Sequence, residues 1–96
     1  MEILKPALAG TLESNDAQVK VEPRAEGLEV VITSEVMQRF GGQIRKVVAE
    51  TLARMDLARG LVVVEDKGAL DCTLRARVQA AVLRGCAAER PDWGKL

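Results

Sequence analysis

The chain has 96 residues, enough for one domain around one core and too few for two. Fourteen lysines and arginines balance fourteen aspartates and glutamates, so no long-range positive field favours nucleic acid or anionic lipid. Histidine is absent, which removes the usual general base near neutral pH, the commonest metal ligand and every imidazole-based triad.

Along the chain, Met1-Glu2 opens without a basic segment followed by an apolar run, and no apolar stretch reaches membrane-spanning length. A soluble cytoplasmic protein is therefore expected. Phe40 and Trp93 are the only aromatics, so leucine, valine, alanine and isoleucine must fill the core. From Ala7 to Pro23 the pattern predicts a hairpin with a two-residue turn at Asn15-Asp16. That turn would pair Ser14 with Ala17, Leu12 with Val19 and Gly10 with Val21, and it would put Leu8, Leu12, Val19 and Val21 on one face. Pro23-Arg24-Ala25-Glu26-Gly27 is a polar connection. Leu28, Val30 and Ile32 then alternate with Glu29, Val31 and Thr33 as a third strand completing a meander.

Ser34 is the candidate N-cap of a helix whose apolar positions include Val36, Met37, Phe40, Ile44, Val47, Val48, Leu52 and Met55. Gly41-Gly42 falls inside it and weakens it by about 1 kcal/mol per glycine relative to alanine. The apolar phase runs through unbroken, which predicts one helix with close packing at the pair. Leu61-Val62-Val63-Val64 reads as a well-buried strand, central or covered on both faces. Leu70, Leu74, Val78, Ala81 and Val82 mark a second helix. The order β-β-β-α-β-α predicts an α+β two-layer sandwich, a small mixed sheet with two helices on one face, and leaves the strand order open. Residues 1–96 form a single domain in this reading, and the tail 87–96 frays or docks on a partner.

Few residues can carry chemistry. Ser14, in a tight turn, is a hydroxyl that can reach solvent, and no group near it in sequence could activate it as a nucleophile. The bland reading is an ordinary turn serine. Asp71 and Cys72 at the start of the second helix invite a thiol or acid-base reading, but the bland one fits better: Asp71 complements the helix dipole, and Cys72 packs as a small apolar side chain. Cys72 and Cys86, fourteen residues apart on one helix, stand about 21 Å from each other and cannot form a disulfide. Two thiols at that spacing make a poor zinc site. Arg75, Arg77 and Arg84 read as a solvated helix face, with a phosphate or partner contact as the minority alternative. Trp93 either anchors on a partner or covers the domain's own core.

Two blocks resemble a known family: Ala9-Gly10-Thr11-Leu12-Glu13-Ser14, and Asp66-Lys67-Gly68-Ala69-Leu70-Asp71-Cys72 followed by Leu74-Arg75-Ala76-Arg77. Both are similar to the citrate lyase acyl carrier (gamma subunit) family, and the likeness covers nearly the whole chain. The resemblance implies that Ser14 is joined by a phosphodiester to 2'-(5''-phosphoribosyl)-3'-dephospho-CoA, whose thiol holds an acyl group as a thioester. It also implies three partners. A prosthetic-group transferase attaches the arm, an alpha subunit exchanges acetyl for citryl, and a beta subunit releases oxaloacetate. The carrier itself would have no catalysis. Where the family pattern has Ser-Gly-Asp, this chain has Ser14-Asn15-Asp16, and asparagine can occupy the same left-handed backbone region.

Three alternatives stand beside this one. A malonate decarboxylase-type carrier would use the same arm, but the Gly68 to Cys72 block argues against it. A small acylphosphatase-like hydrolase would need a phosphate-cradling arginine, of which Pro23-Arg24 is a weak imitation. A non-covalent regulatory or scaffolding module suits the zero net charge and the lack of catalytic groups equally well.

Overall fold

The computed structural model describes residues 1–86 of the chain. Its elements follow the predicted order: β1 (Ala7–Gly10), β2 (Ala17–Glu22), β3 (Leu28–Ser34), α1 (Met37–Arg54), β4 (Gly60–Asp66) and α2 (Asp71–Gly85). The four strands form one mixed sheet in the order β1-β2-β4-β3. Trp93 and the rest of the tail lie outside the described residues.

The apolar run 61–64 takes the centre of the sheet, antiparallel to β2 and parallel to β3. Val62 and Val64 are fully buried opposite Val21 and Val19, while Leu61 and Val63 point to the other, uncovered face. The strand is therefore central, as its composition suggested, but among the described residues it is covered on one side only. Helices α1 and α2 pack together and fill the covered side with Ile44, Val47, Val48, Leu52, Leu74, Val78, Ala81 and Val82.

The meander is corrected. Strand β2 pairs with β4, and β3 sits at the edge. A parallel pair needs a crossover, which α1 supplies between β3 and β4. The more apolar β4 gains most from the central place, whereas β3 leaves Leu28, Val30 and Val31 partly exposed.

The hairpin register is corrected as well. Gly10 lies opposite Gln18, Ala9 opposite Val19 and Ala7 opposite Val21, three residues out of step with a two-residue turn. An odd slip exchanges the faces of a strand. Ala7 and Ala9 now face the helices, Leu8 lies on the uncovered face, and Leu12 leaves the strand and is 49% exposed. The cause is competition for the turn. The β2–β4 pairing runs on past Ala17, with the Lys67 amide donating to the Asp16 carbonyl (2.9 Å) and the Asn15 amide to the Lys67 carbonyl (2.8 Å). Asn15 and Asp16 are thereby held on β4, and the connection widens to residues 11–16.

Two helix expectations also change. Ser34 ends β3 and does not cap α1, whose N-cap position is Val36. Its hydroxyl accepts from the Val36 amide (3.1 Å) and donates to Asp66 (2.8 Å). Phe40 and Leu70, placed on apolar stripes by their spacing, are 48% and 71% exposed, because they lie at the helix starts beyond the edge of the sheet. Helix α1 does run unbroken through Gly41-Gly42. Gly41 is buried under the Met37 side chain, but a Cβ on Gly42 would meet open space. Gly42→Ala is accordingly expected to stabilise the protein by about 1 kcal/mol, measured by urea unfolding.

Candidate functional site

The loop after β1 is built around Asp16. Gly10 turns the chain out of the strand with φ +83. The Thr11 hydroxyl donates to Asp16 Oδ2 (2.7 Å) and accepts from the Glu13 amide (3.2 Å). The Ala17 amide donates to Asp16 Oδ1 (2.7 Å). Across the molecule, Arg77 of α2 grips both oxygens, Nε at 2.9 Å and Nη2 at 3.3 Å. Such a fork on a carboxylate fixes geometry as well as charge.

Glu13 to Asp16 form a β-turn closed by the Asp16 amide on the Glu13 carbonyl (3.2 Å). Ser14 and Asn15 are its central residues, and Asn15 has φ +65, the left-handed conformation expected of it. Ser14 is exposed at the crest, and among the described residues its hydroxyl has no hydrogen-bond partner. It is a rigidly presented, chemically unactivated alcohol.

The Arg77 guanidinium foremost, with the Thr11 hydroxyl and the Ala17 amide, holds the Asp16 carboxyl well below the usual carboxylate range. In the unfolded chain an aspartate titrates near about 3.9. The folded state therefore prefers the charged form, so this brace contributes fully above that value and is lost as the pH falls through the folded-state value. The stability difference between the wild type and Arg77→Ala is expected to shrink between about pH 7 and about pH 2, as read by urea unfolding.

The second sequence block meets the first here. Asp66, 2% exposed, accepts hydrogen bonds from Ser34, the Gly68 amide (3.1 Å) and the Ala69 amide (3.0 Å), and so shapes the turn from β4 into α2. Gly68 completes that turn with φ +88. Just behind it, an open groove of about 660 Å³ lies between the starts of α1 and α2, lined by Val36, Phe40, Ile44, Ala69, Leu70 and Cys72. Cys72 is exposed, not packed as the sequence suggested, and Asp71 accepts from Gln43 Nε2 (2.8 Å). Cys86 caps the far end of α2, half-buried, with its thiol pKa raised by that burial, and both cysteines are free.

The arginines divide. Arg77 braces the loop, Arg84 donates to the Leu8 carbonyl (2.7 Å), and Arg75 is exposed. The solvated-face reading holds for Arg75 and Arg84, which are exposed, and fails for Arg77. Arg24, in the β2–β3 connection at the opposite end of the sheet, pairs with Glu29 (3.9 Å) and cradles nothing near Ser14. Among the described residues no cluster of histidine, cysteine, aspartate or glutamate could hold a metal ion. Nor is any described helix long and apolar enough to cross a membrane. Sequence reading missed Asp16 as the hub. Its partner Arg77 is 61 residues away, and no local pattern announces the pair.

The site is thus an exposed hydroxyl on a turn braced by Asp16 and Arg77. The family described as malonate decarboxylase delta subunit (MdcD) matches residues 4–85. One chain of a Pseudomonas malonate decarboxylase hetero-tetramer, solved with malonate, shares the fold (TM-score 0.75, 84% of each chain) at 21% identity. Much nearer are the citrate lyase acyl carrier proteins. That of Cronobacter sakazakii is 57% identical over 96 residues, spanning 100% of this chain and 99% of that one. Those of Vibrio cholerae (55% over 97 residues) and Rhodopseudomonas palustris (51% over 96) cover the same shares. The chain belongs to the citrate lyase acyl carrier protein family.

Proposed function

We propose that this chain is the acyl carrier subunit of a citrate lyase and that Ser14 is where its arm is attached. The observation that carries the reading is the Ser14 hydroxyl, exposed and without a hydrogen bond among the described residues, on a turn fixed from both sides by Asp16–Arg77 and Asn15–Lys67. A bulky phosphodiester fits there, because among the described residues nothing covers the serine and no hydrogen bond to its hydroxyl is lost. Asn15 meets the backbone demand that glycine would meet. The arm is 2'-(5''-phosphoribosyl)-3'-dephospho-CoA, and when bound it supplies a thiol for an acyl thioester.

The chain's own residues present and position the attachment point. Arg77 and Lys67 hold the loop, and the core keeps the loop fixed relative to the rest of the domain. Tethering makes each encounter with a neighbouring active site intramolecular and raises the effective concentration into the millimolar range or so. Without a base beside Ser14, attachment depends on an outside prosthetic-group transferase. The other partners are the alpha and beta subunits of the lyase. Residues 1–96 act as one carrier domain in the cytoplasm, with no nucleic acid, membrane or metal partner. The 51–57% identities to citrate lyase carriers favour citrate over malonate as the acid served.

Intact-mass measurement on protein co-produced with the transferase tests this. The expected result is one added nucleotide-pantetheine mass, mapped to the peptide that holds Ser14. No added mass overturns the reading. Citrate-dependent release of oxaloacetate by the reconstituted complex separates it from a malonate decarboxylase carrier.

A further inference from the structure

The groove between the starts of α1 and α2 adjoins the attachment loop. Lys67, whose backbone bonds to Asn15 and Asp16, is followed directly by Gly68 and Ala69 on the groove wall. A Cβ added to Gly68 would come within 3.7 Å of the Asn15 amide oxygen. Ser14 is therefore one residue from a strand pairing that ends at the groove. Strands β3 and β4 run parallel, and their carboxyl ends open here, where ligands commonly lie in open α/β sheets.

The walls explain what the groove would take. Phe40 and Leu70 expose large apolar surfaces that the domain's own core leaves uncovered. Val36, Ile44 and Ala69 continue them inward. The volume falls in the range of small-molecule sites. Its rim is polar: Gln43 and Asp71 are hydrogen-bonded there, and α2 begins without a side-chain cap, leaving first-turn amides as donors. An apolar cleft with amide-binding edges matches pantetheine, a chain of methylenes and a dimethyl carbon interrupted by two amides.

We infer that this groove shelters the distal, thioester-bearing part of the Ser14 arm between its visits to other subunits. The inference rests on the attachment reading above. The arm is a covalent neighbour, so even weak apolar contacts act at a high effective concentration. A sheltered thioester meets bulk water and dissolved nucleophiles less often than a free one.

The test compares unmodified, modified and acetyl-loaded protein by methyl and amide NMR, with Phe40→Asp and Leu70→Asp as variants. Leu70 is largely and Phe40 half exposed, and neither belongs to the buried core, so these variants keep the core intact. Loading should shift the signals of Ile44, Leu70 and Ala69. Hydroxylamine should cleave the acetyl thioester about threefold slower than free acetyl-pantetheine, the protection given by a shelter filled two-thirds of the time. Either variant should restore the free rate. Shifts confined to residues 11–16, or a wild-type rate equal to the free one, overturn the shelter while leaving the attachment standing. Equal protection in the variants also overturns it. Absence of the added mass, seen before any NMR, overturns attachment and shelter together.

Discussion

Ser14→Ala is expected to carry no added mass after co-production with the transferase, and a complex rebuilt with it is expected to release no oxaloacetate from citrate. The loss is complete because the hydroxyl oxygen is the atom through which the arm would be joined, and a methyl group cannot form the ester. Stability should hardly change. The side chain is exposed and makes no hydrogen bond among the described residues, so the cost should stay within about 0.5 kcal/mol. Circular dichroism and urea unfolding check that half of the expectation. A fully active Ser14→Ala complex would instead favour a non-covalent scaffolding role.

Gly10→Ala is the substitution expected to damage the fold most. Gly10 has φ +83, where an alanine is strained by about 1–2 kcal/mol. Its new Cβ would stand 1.9 Å from the Ala17 carbonyl oxygen and 3.0 Å from Arg77 Cδ. The first of these contacts is with backbone, so it cannot be relieved by a rotamer change. Overpacking of that kind adds about 1–3 kcal/mol, giving a total of about 2–5 kcal/mol in urea unfolding. Relief requires β1 to move off β2 or Ala17 to move, and either shift disturbs the Asp16 brace. The rate of arm attachment by the transferase should therefore fall even where the variant remains folded. A variant as stable as the wild type would contradict the backbone geometry at Gly10.

Local patterns carried most of the architecture. The β-branched run at 61–64 announced a central strand, and the spacing of Ile44, Val47, Val48 and Leu52 announced a helix that Gly41-Gly42 does not break. What stayed hidden depends on residues far apart. The turn at Asn15-Asp16 looks self-sufficient until Lys67 and Arg77 arrive to claim both residues. Nothing in a strand's alternation says which neighbour it takes, so β3 was placed beside β2. Helical spacing identifies an apolar stripe but not how much of it is covered, which is why Phe40 and Leu70 fall on the stripes and yet stand exposed. The N-terminal segment gave no periodic signal at all, yet Ile3 is buried and the Leu4 and Lys5 amides bond to the Gly85 carbonyl. Ser14 itself was legible as a reachable turn hydroxyl, and the role proposed for it as an attachment point came from family likeness alone.

The span between Asp16 and Arg77 sets an order of events in the making of the protein. Ser14 leaves the ribosome early, but the loop around it cannot close until residues 67 and 77 have been synthesised and β4 has found β2. Contacts of such long range form late in folding. Under the proposed attachment at Ser14, a transferase that reads the shape of the loop would meet its substrate only after most of the domain has been made and folded, and nascent or misfolded chains would be left without the arm.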